Sequence, residues 1–193
     1  TMKIRASWGI IGNEKIPQNE RFSLVLNQQN VVLGINEILM SGATLGNTAN
    51  PGIQWESTAQ TDVGFELGIF DGKYTADVDY FSRTTNDILV GITTPGYYEN
   101  GAFVKVVTNA ATVENSGIEF ALNSRNSIGS NWTINLNANG SFIKNEVKSL
   151  GANSESDSFI QGGSLGNGQM VTRTEVGHPI GSFYGYEVLG VFQ

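Results

Sequence analysis

The sequence predicts an all-β, antiparallel transmembrane β-barrel segment with long extracellular loops. Three observations point there. Apolar and polar residues alternate with period two in five segments, which separates them onto opposite faces of a strand. The segments reach or exceed the ~9–11 residues that a tilted strand needs to cross a bilayer, whereas typical soluble strands have ~5–6. Short turns alternate with long connections, the asymmetry of outer-membrane barrels.

The first segment, residues 2–10, puts Met2, Ile4, Ala6, Trp8 and Ile10 on one face and Lys3, Arg5, Ser7 and Gly9 on the other. The second, residues 53–69, sets Val63, Phe65, Leu67 and Ile69 against Asp62, Gly64, Glu66 and Gly68. In the third, residues 73–89, Tyr74, Ala76, Val78 and Tyr80 oppose Lys73, Thr75, Asp77, Asp79 and Arg83, and Phe81 interrupts the pattern. The fourth, residues 113–124, places Ile118, Phe120 and Leu122 against Gly117, Glu119, Ala121 and Asn123. The fifth, residues 130–146, is the most regular: Trp132, Ile134, Leu136, Ala138 and Phe142 oppose Asn131, Thr133, Asn135, Asn137, Asn139 and Ser141.

Phe70-Asp71-Gly72 and residues 126–129 are short connections carrying turn residues. Residues 11–52, 90–112 and 147–193 are the long ones, expected outside the cell, with the short turns in the periplasm. Aromatic residues gather where barrel strands meet the two membrane interfaces. Trp8 and Trp55 are expected in an outer girdle, Tyr74 and Trp132 in an inner one. On the opposite face, Asp62, Glu66, Asp77, Asp79, Glu119, Asn135 and Asn137 are expected to line a hydrated lumen.

Composition narrows the function classes. The 193 residues carry 11 Lys+Arg against 18 Asp+Glu, a net charge of −7 with no basic run, so nucleic-acid binding has no electrostatic footprint. Cysteine is absent, which removes disulfides, thiolate metal sites and thiol catalysis. Glycine (24) is abundant and proline (4) scarce, and no apolar run approaches the ~20 residues of a membrane helix, so only strands of a closed barrel could cross a bilayer here. Residues 1–5 already read as strand without a signal peptide, which suggests a segment from inside a longer polypeptide. Alternation alone leaves a soluble β-sandwich open, and with it a secreted carbohydrate-binding or adhesin module; a β-rich glycoside hydrolase is the third reading.

Candidate chemistry is sparse, and no catalytic, metal-binding or cofactor residue is assigned. Asp77 and Asp79 share a face and invite comparison with the paired acids of a glycosidase, but lumen-facing acids that hydrate an interior explain them better. His178 is the only histidine, so a triad or metal site would rest on one imidazole, and its Gly-His-Pro-Ile-Gly setting suggests a structural turn. The glycine-rich run from Gly162 to Gly168 lacks the Gly-Lys-Ser/Thr ending of a phosphate loop and reads as a surface loop.

Specific strings carry more than periodicity. Asn50-Pro51-Gly52-Ile53-Gln54-Trp55-Glu56-Ser57-Thr58, continuing to Gly64, resembles a stretch of SusC/RagA-type TonB-dependent receptors, with Gly52 in place of the usual Asp. Asp77-Val78-Asp79-Tyr80-Phe81 followed by Asn86-Asp87-Ile88-Leu89 is similar to the next strand of that family, and Val113-Glu114-Asn115-Ser116-Gly117-Ile118-Glu119-Phe120 to the one after. Gly177-His178-Pro179-Ile180-Gly181-Ser182-Phe183-Tyr184-Gly185-Tyr186 and Gly190-Val191-Phe192-Gln193 resemble its most recognisable string, with Leu189 where Asp is common. The resemblance implies a plugged barrel of about 22 strands, and a plug and TonB-contacting part that these residues do not contain. It further implies a SusD-like surface lipoprotein as partner, outer-membrane lipid around the barrel, and import of a bulky nutrient without chemistry on it.

Overall fold

The computed structural model describes residues 1–17, 20–45, 49–94, 104–151, 159–187 and 190. Their regular structure is entirely β: β1 (Met2–Asn13), β2 (Val25–Leu33), β3 (Ile38–Leu45), β4 (Glu56–Ile69), β5 (Tyr74–Thr94), β6 (Val104–Ile128), β7 (Trp132–Ser149), β8 (Phe159–Ser164), β9 (Met170–Glu175) and β10 (Ser182–Phe183). They form a five-stranded sheet in the order β1-β4-β5-β6-β7, a three-stranded sheet β10-β9-β8 and the hairpin β2-β3. By contacts the chain divides into one unit of Thr1–Ile11, Ser57–Asn86 and Ala111–Gln193, and a second of Gly12–Glu56 and Asp87–Ala110.

The strands outrun the sequence expectation. Residues 90–112, expected as a loop, belong largely to β5, which continues to Thr94, and to β6, which begins at Val104. The extension has a local cause, because Val104, Val106, Val107, Thr108 and Thr112 are β-branched and favour extended backbone. Residues 95–103 lie outside the described residues. Residues 11–52 and 147–193 also contain strands, the β2-β3 hairpin in the former and β8 to β10 in the latter. Of residues 183–192, which pattern alone leaves open as a strand, the described ones contribute only Phe183, in the two-residue β10, and residues 184–187 are not strand.

Between β4 and β5 the chain reverses at Asp71-Gly72, where Lys73 N–H donates to Phe70 C=O at 3.1 Å. Both central residues have positive φ, 55° and 81°, as the reversal matching the strand twist requires, and Gly72 adopts it without a Cβ penalty. Ile69 then pairs with Tyr74, which brings Val63 opposite Tyr80, Phe65 opposite Val78 and Leu67 opposite Ala76. In the β6-β7 pair, Ile118 faces Phe142, Phe120 faces Gly140, Leu122 faces Ala138 and Ile128 faces Trp132.

Two glycines on opposite faces of β6-β7 make room for aromatic rings. A Cβ on Gly140 would lie 2.6 Å from the Phe120 ring, and one on Gly117 would lie 2.9 Å from that of Phe81. Phe81 thus breaks the alternation for a reason: it covers Gly117 on the polar face and carries the Arg83 guanidinium 5.2 Å from its ring centroid. Gly140→Ala should destabilise the folded protein by about 1–3 kcal/mol through overpacking against Phe120, as read from the denaturant midpoint.

Candidate functional site

The site in question is the pair of faces of the five-stranded sheet within the first unit. One face is apolar and uncovered: Val63, Ile118, Ile134 and Leu136 are exposed, as are Phe65 and Leu67 at 38%. The alternative fold, a sandwich with these residues interleaved between two sheets, is therefore not what forms. Buried apolar residues among those described are few, namely Ile53, Phe81, Ala111, Val113, Val147 and Leu150, and no polar residue is fully buried. On β4 the sense is inverted relative to a water-soluble sheet, since Gly64 and Gly68 are buried while Val63, Phe65, Leu67 and Ile69 are open.

The opposite face carries the charges. Arg5 on β1 donates from Nε and Nη2 to the two carboxylate oxygens of Asp79 on β5, at 3.1 and 2.6 Å. The same guanidinium lies 3.6 Å from Glu66 and 3.7 Å from Asp77, and Lys3 stands 4.0 Å from Glu66. Asp62 accepts from Ser7 at 3.3 Å and from Gln60 at 2.7 Å. Arg5 reaches past β4 to β5 because Gly64, opposite Asp79 in the register, has no side chain in the way. Next to this cluster an open hollow of about 350 Å³ is bordered by Asp77, Asp79, Glu119, Asn139 and Ser141. Asn137 and Asn135 follow on the same face of β7, opposite Asn123 and Arg125, and Asn123 donates to Thr75 at 3.1 Å. The arrangement ties up both Asp77 and Asp79 with one guanidinium. Among the described residues, no group of three His, Cys, Asp or Glu side chains is disposed to hold a metal ion.

Trp8, Trp55, Tyr74 and Trp132 are all exposed. The Tyr74 hydroxyl donates to Asn126 Oδ1 at 2.9 Å, and its ring meets Phe70 edge-on at 6.0 Å.

Sequence reasoning missed a second polar constellation, in the other unit. Asn50 accepts from Gly52 N–H at 3.1 Å and donates to Val107 C=O at 2.9 Å. Asn109 of β6 accepts from Gln54 N–H at 2.7 Å and donates to the carbonyls of Gln54 and Asp87, at 2.9 and 2.7 Å. Asp87 has a positive φ of 57°, and Leu89 N–H beyond this irregularity donates to Glu56 Oε1 at 3.0 Å. The Asn-Pro-Gly-Ile-Gln-Trp-Glu string is thus a clamp that holds backbone groups which strand pairing leaves over. Asn109→Ala should cost about 1–2 kcal/mol, since it removes three hydrogen bonds at once near solvent; thermal unfolding of the protein checks this.

The glycine-histidine-proline string docks on β7. Gly177 N–H donates to Val147 C=O at 2.8 Å and Val147 N–H to His178 C=O at 3.0 Å, which leaves Val147 fully buried. Ile180 N–H donates to Asn145 Oδ1 at 2.7 Å, and Gly181 N–H to Thr174 Oγ1 at 3.0 Å. Gly177 and Gly181 adopt positive φ, and Ser182 Oγ donates to Pro179 C=O at 2.8 Å. The imidazole of His178 is exposed, 3.5 Å from Glu175. Phe183 and Tyr186 are almost entirely uncovered; Tyr184 N–H donates to Val171 C=O at 2.9 Å, and Gly185 has open space about its Cα.

Long antiparallel strands with an open apolar face and ion pairs on the other define the wall of a β-barrel of the membrane kind. Residues 18–177 match the family model described as TonB dependent receptor-like, beta-barrel. The chain belongs to the TonB-dependent receptor family and is part of its β-barrel. It is 32% identical over its whole length to a TonB-dependent receptor of Formosa agariphila, of which it covers 18%. Over 96% of its length it is 27% identical to the TonB-dependent receptor SusC of Bacteroides thetaiotaomicron, of which it covers 19%. Among solved structures the RagAB peptide transporter superposes on 94% of the chain with a TM-score of 0.73 and 25% identity, and the chain covers 18% of it. The chain thus spans less than a fifth of the length of these relatives.

Proposed function

We propose that this chain is part of the wall of an outer-membrane importer that takes up a bulky nutrient, a glycan or an oligopeptide, with energy from TonB. The observation that carries the reading is the inverted sheet, with Val63, Phe65, Leu67, Ile118, Ile134 and Leu136 open on one face and the Arg5-centred ion pairs on the other. Apolar side chains so displayed fit hydrocarbon, and the acids fit an enclosed hydrated lumen. Asp62, Glu66, Asp77, Asp79, Glu119, Asn135 and Asn137 face that lumen, and Trp8, Trp55, Tyr74 and Trp132 anchor the wall at the two lipid interfaces. TonB acts through a part of the receptor that these 193 residues do not contain. A SusD-like surface lipoprotein caps the extracellular side, contacting residues within 11–52, 90–112 and 147–193. The description of RagAB as a peptide transporter supports oligopeptide among the cargos.

The test is fractionation of cells expressing the whole receptor. It should sediment with outer membranes, require detergent for extraction and co-purify with a surface lipoprotein. Recovery as a detergent-free soluble monomer would remove the basis for the reading.

A further inference from the structure

The apolar face of the five-stranded sheet carries a hollow of about 350 Å³. It is bounded by Leu67 and Ile69 of β4, Ala76 of β5, Leu122 of β6, and Leu136 and Ala138 of β7. The cause is a size pattern in the register. Ala76 pairs with Leu67 and Ala138 with Leu122, so two methyl side chains lie low among larger apolar neighbours. The hollow crosses four strands, and three spacings of ~4.8 Å give it a length near 14 Å. Half of the ~30 Å hydrocarbon core of a bilayer is about 15 Å, so the length suits one acyl chain.

The margin of the hollow on the side of the Asp71-Gly72 turn is polar. The Tyr74 hydroxyl donates to Asn126 Oδ1 at 2.9 Å, and Asn126 Nδ2 donates to Ser124 Oγ at 2.7 Å. Tyr74 and Ser124 both line the hollow, and the Ser124 hydroxyl donates to no acceptor among the described residues. An apolar trough with a free hydroxyl donor at its margin matches an amphiphile whose ester carbonyl sits beside its hydrocarbon. Within a bilayer the hydrophobic effect does not favour the protein wall over neighbouring lipid, since both are apolar. Retention has to come from dispersion contacts on several sides of the chain, which a hollow supplies and a smooth face does not, and from the hydrogen bond. We infer that this hollow is a seat for one acyl chain of a glycerophospholipid of the periplasmic leaflet, with Ser124 donating to its ester carbonyl. The turns at Gly72 and Gly129 lie at this end of the strands, and the short turns of outer-membrane barrels are periplasmic. The inference rests on the membrane placement proposed above and not on what the receptor imports.

The test is native mass spectrometry of the whole receptor, purified in mild detergent, incubated with palmitoyl-oleoyl phosphatidylethanolamine and washed with lipid-free detergent. The receptor should retain one molecule of this lipid. Ala76→Phe and Ala138→Phe fill the hollow, and each should lower occupancy about tenfold, the fold-change for losing roughly ten carbon contacts. Ala6→Phe, the same change on the apolar face of β1 outside the hollow, should leave occupancy unchanged. Ser124→Ala should lower it about threefold, the effect of a hydrogen bond of typical strength within a bilayer. Heat-modifiable gel migration checks that each variant folds, and either phenylalanine variant suffices if the other does not. No retained phospholipid, full retention in the phenylalanine variants, or an equal loss in Ala6→Phe overturns the inference. So does a lipid-free receptor dimer that Ala138→Phe dissociates, because the hollow would then seat a second copy. Full retention by Ser124→Ala overturns the contact with the ester. A receptor that fractionates with outer membranes yet retains no phospholipid sinks this inference and leaves the import reading standing. One that is soluble without detergent fails earlier, at the membrane placement.

Discussion

Leu136→Arg is expected to destabilise the folded receptor by about 2–4 kcal/mol, the penalty for an arginine on the lipid face near mid-bilayer. Asn137→Arg, one residue along, should change stability by less than ~1 kcal/mol. Leu136 is the third of the outward series Trp132, Ile134, Leu136, Ala138 on β7, well away from the turn at Gly129. It is 64% exposed, so a larger side chain meets no protein atom that would account for a penalty. Any large loss must therefore come from what surrounds the sheet. Denaturant midpoints of the receptor refolded into lipid vesicles provide the measurement. Similar small effects at both positions would mean that both faces are bathed in water, and the membrane placement would fall.

Gly64→Ala should cost about 1–3 kcal/mol by overpacking a site that has no spare volume. A Cβ there would overlap the Asp79 carboxylate and lie 2.5 Å from Arg5 Nε, so the bidentate pair would have to open. The loss has a specific partner dependence. In an Arg5→Ala background the Asp79 carboxylate is released to turn away, and the same Gly64→Ala change should then cost well under half as much. A double-mutant cycle reads this coupling directly, because the residues are in contact and their effects are not additive. Arg5 and Asp79 are partly exposed, so the pair itself contributes only modestly. Equal penalties in both backgrounds would show that Gly64 is needed for backbone reasons unrelated to the guanidinium.

The wall of the fold was legible because its period is short and its register self-consistent. Met2 to Ile10 and Trp132 to Phe142 announce their faces residue by residue, and the structure displays those faces uncovered. Strand ends were not legible. β5 and β6 run on through residues that lack clean alternation, where a positive-φ Asp87 and side-chain contacts from Asn109 and Glu56 replace a simple ladder. Pairings between remote residues were equally out of reach. Arg5 was visible as a polar-face residue, but its bond to Asp79 depends on a glycine in the intervening strand, and period two says nothing about which strands adjoin. The hollow over Ala76 and Ala138 carried no sequence signal at all, because four strands contribute to it. The family strings located the Asn50 to Glu56 clamp and the Gly177 to Tyr186 turn, and only coordinates reveal that both act chiefly through backbone hydrogen bonds.

The reach of Arg5 across a neighbour also constrains the order in which these strands can settle. Its bidentate acceptor arrives with β5 (separation 74), so docking β4 alone on β1 offers the guanidinium only Glu66, at 3.6 Å. Sliding β5 by two positions would offer Phe81 or Asp77 in place of Asp79, one of which cannot accept and the other of which is also an acid. The pin therefore resists slippage in one direction more firmly than in the other, and one side chain ties the register of three strands together.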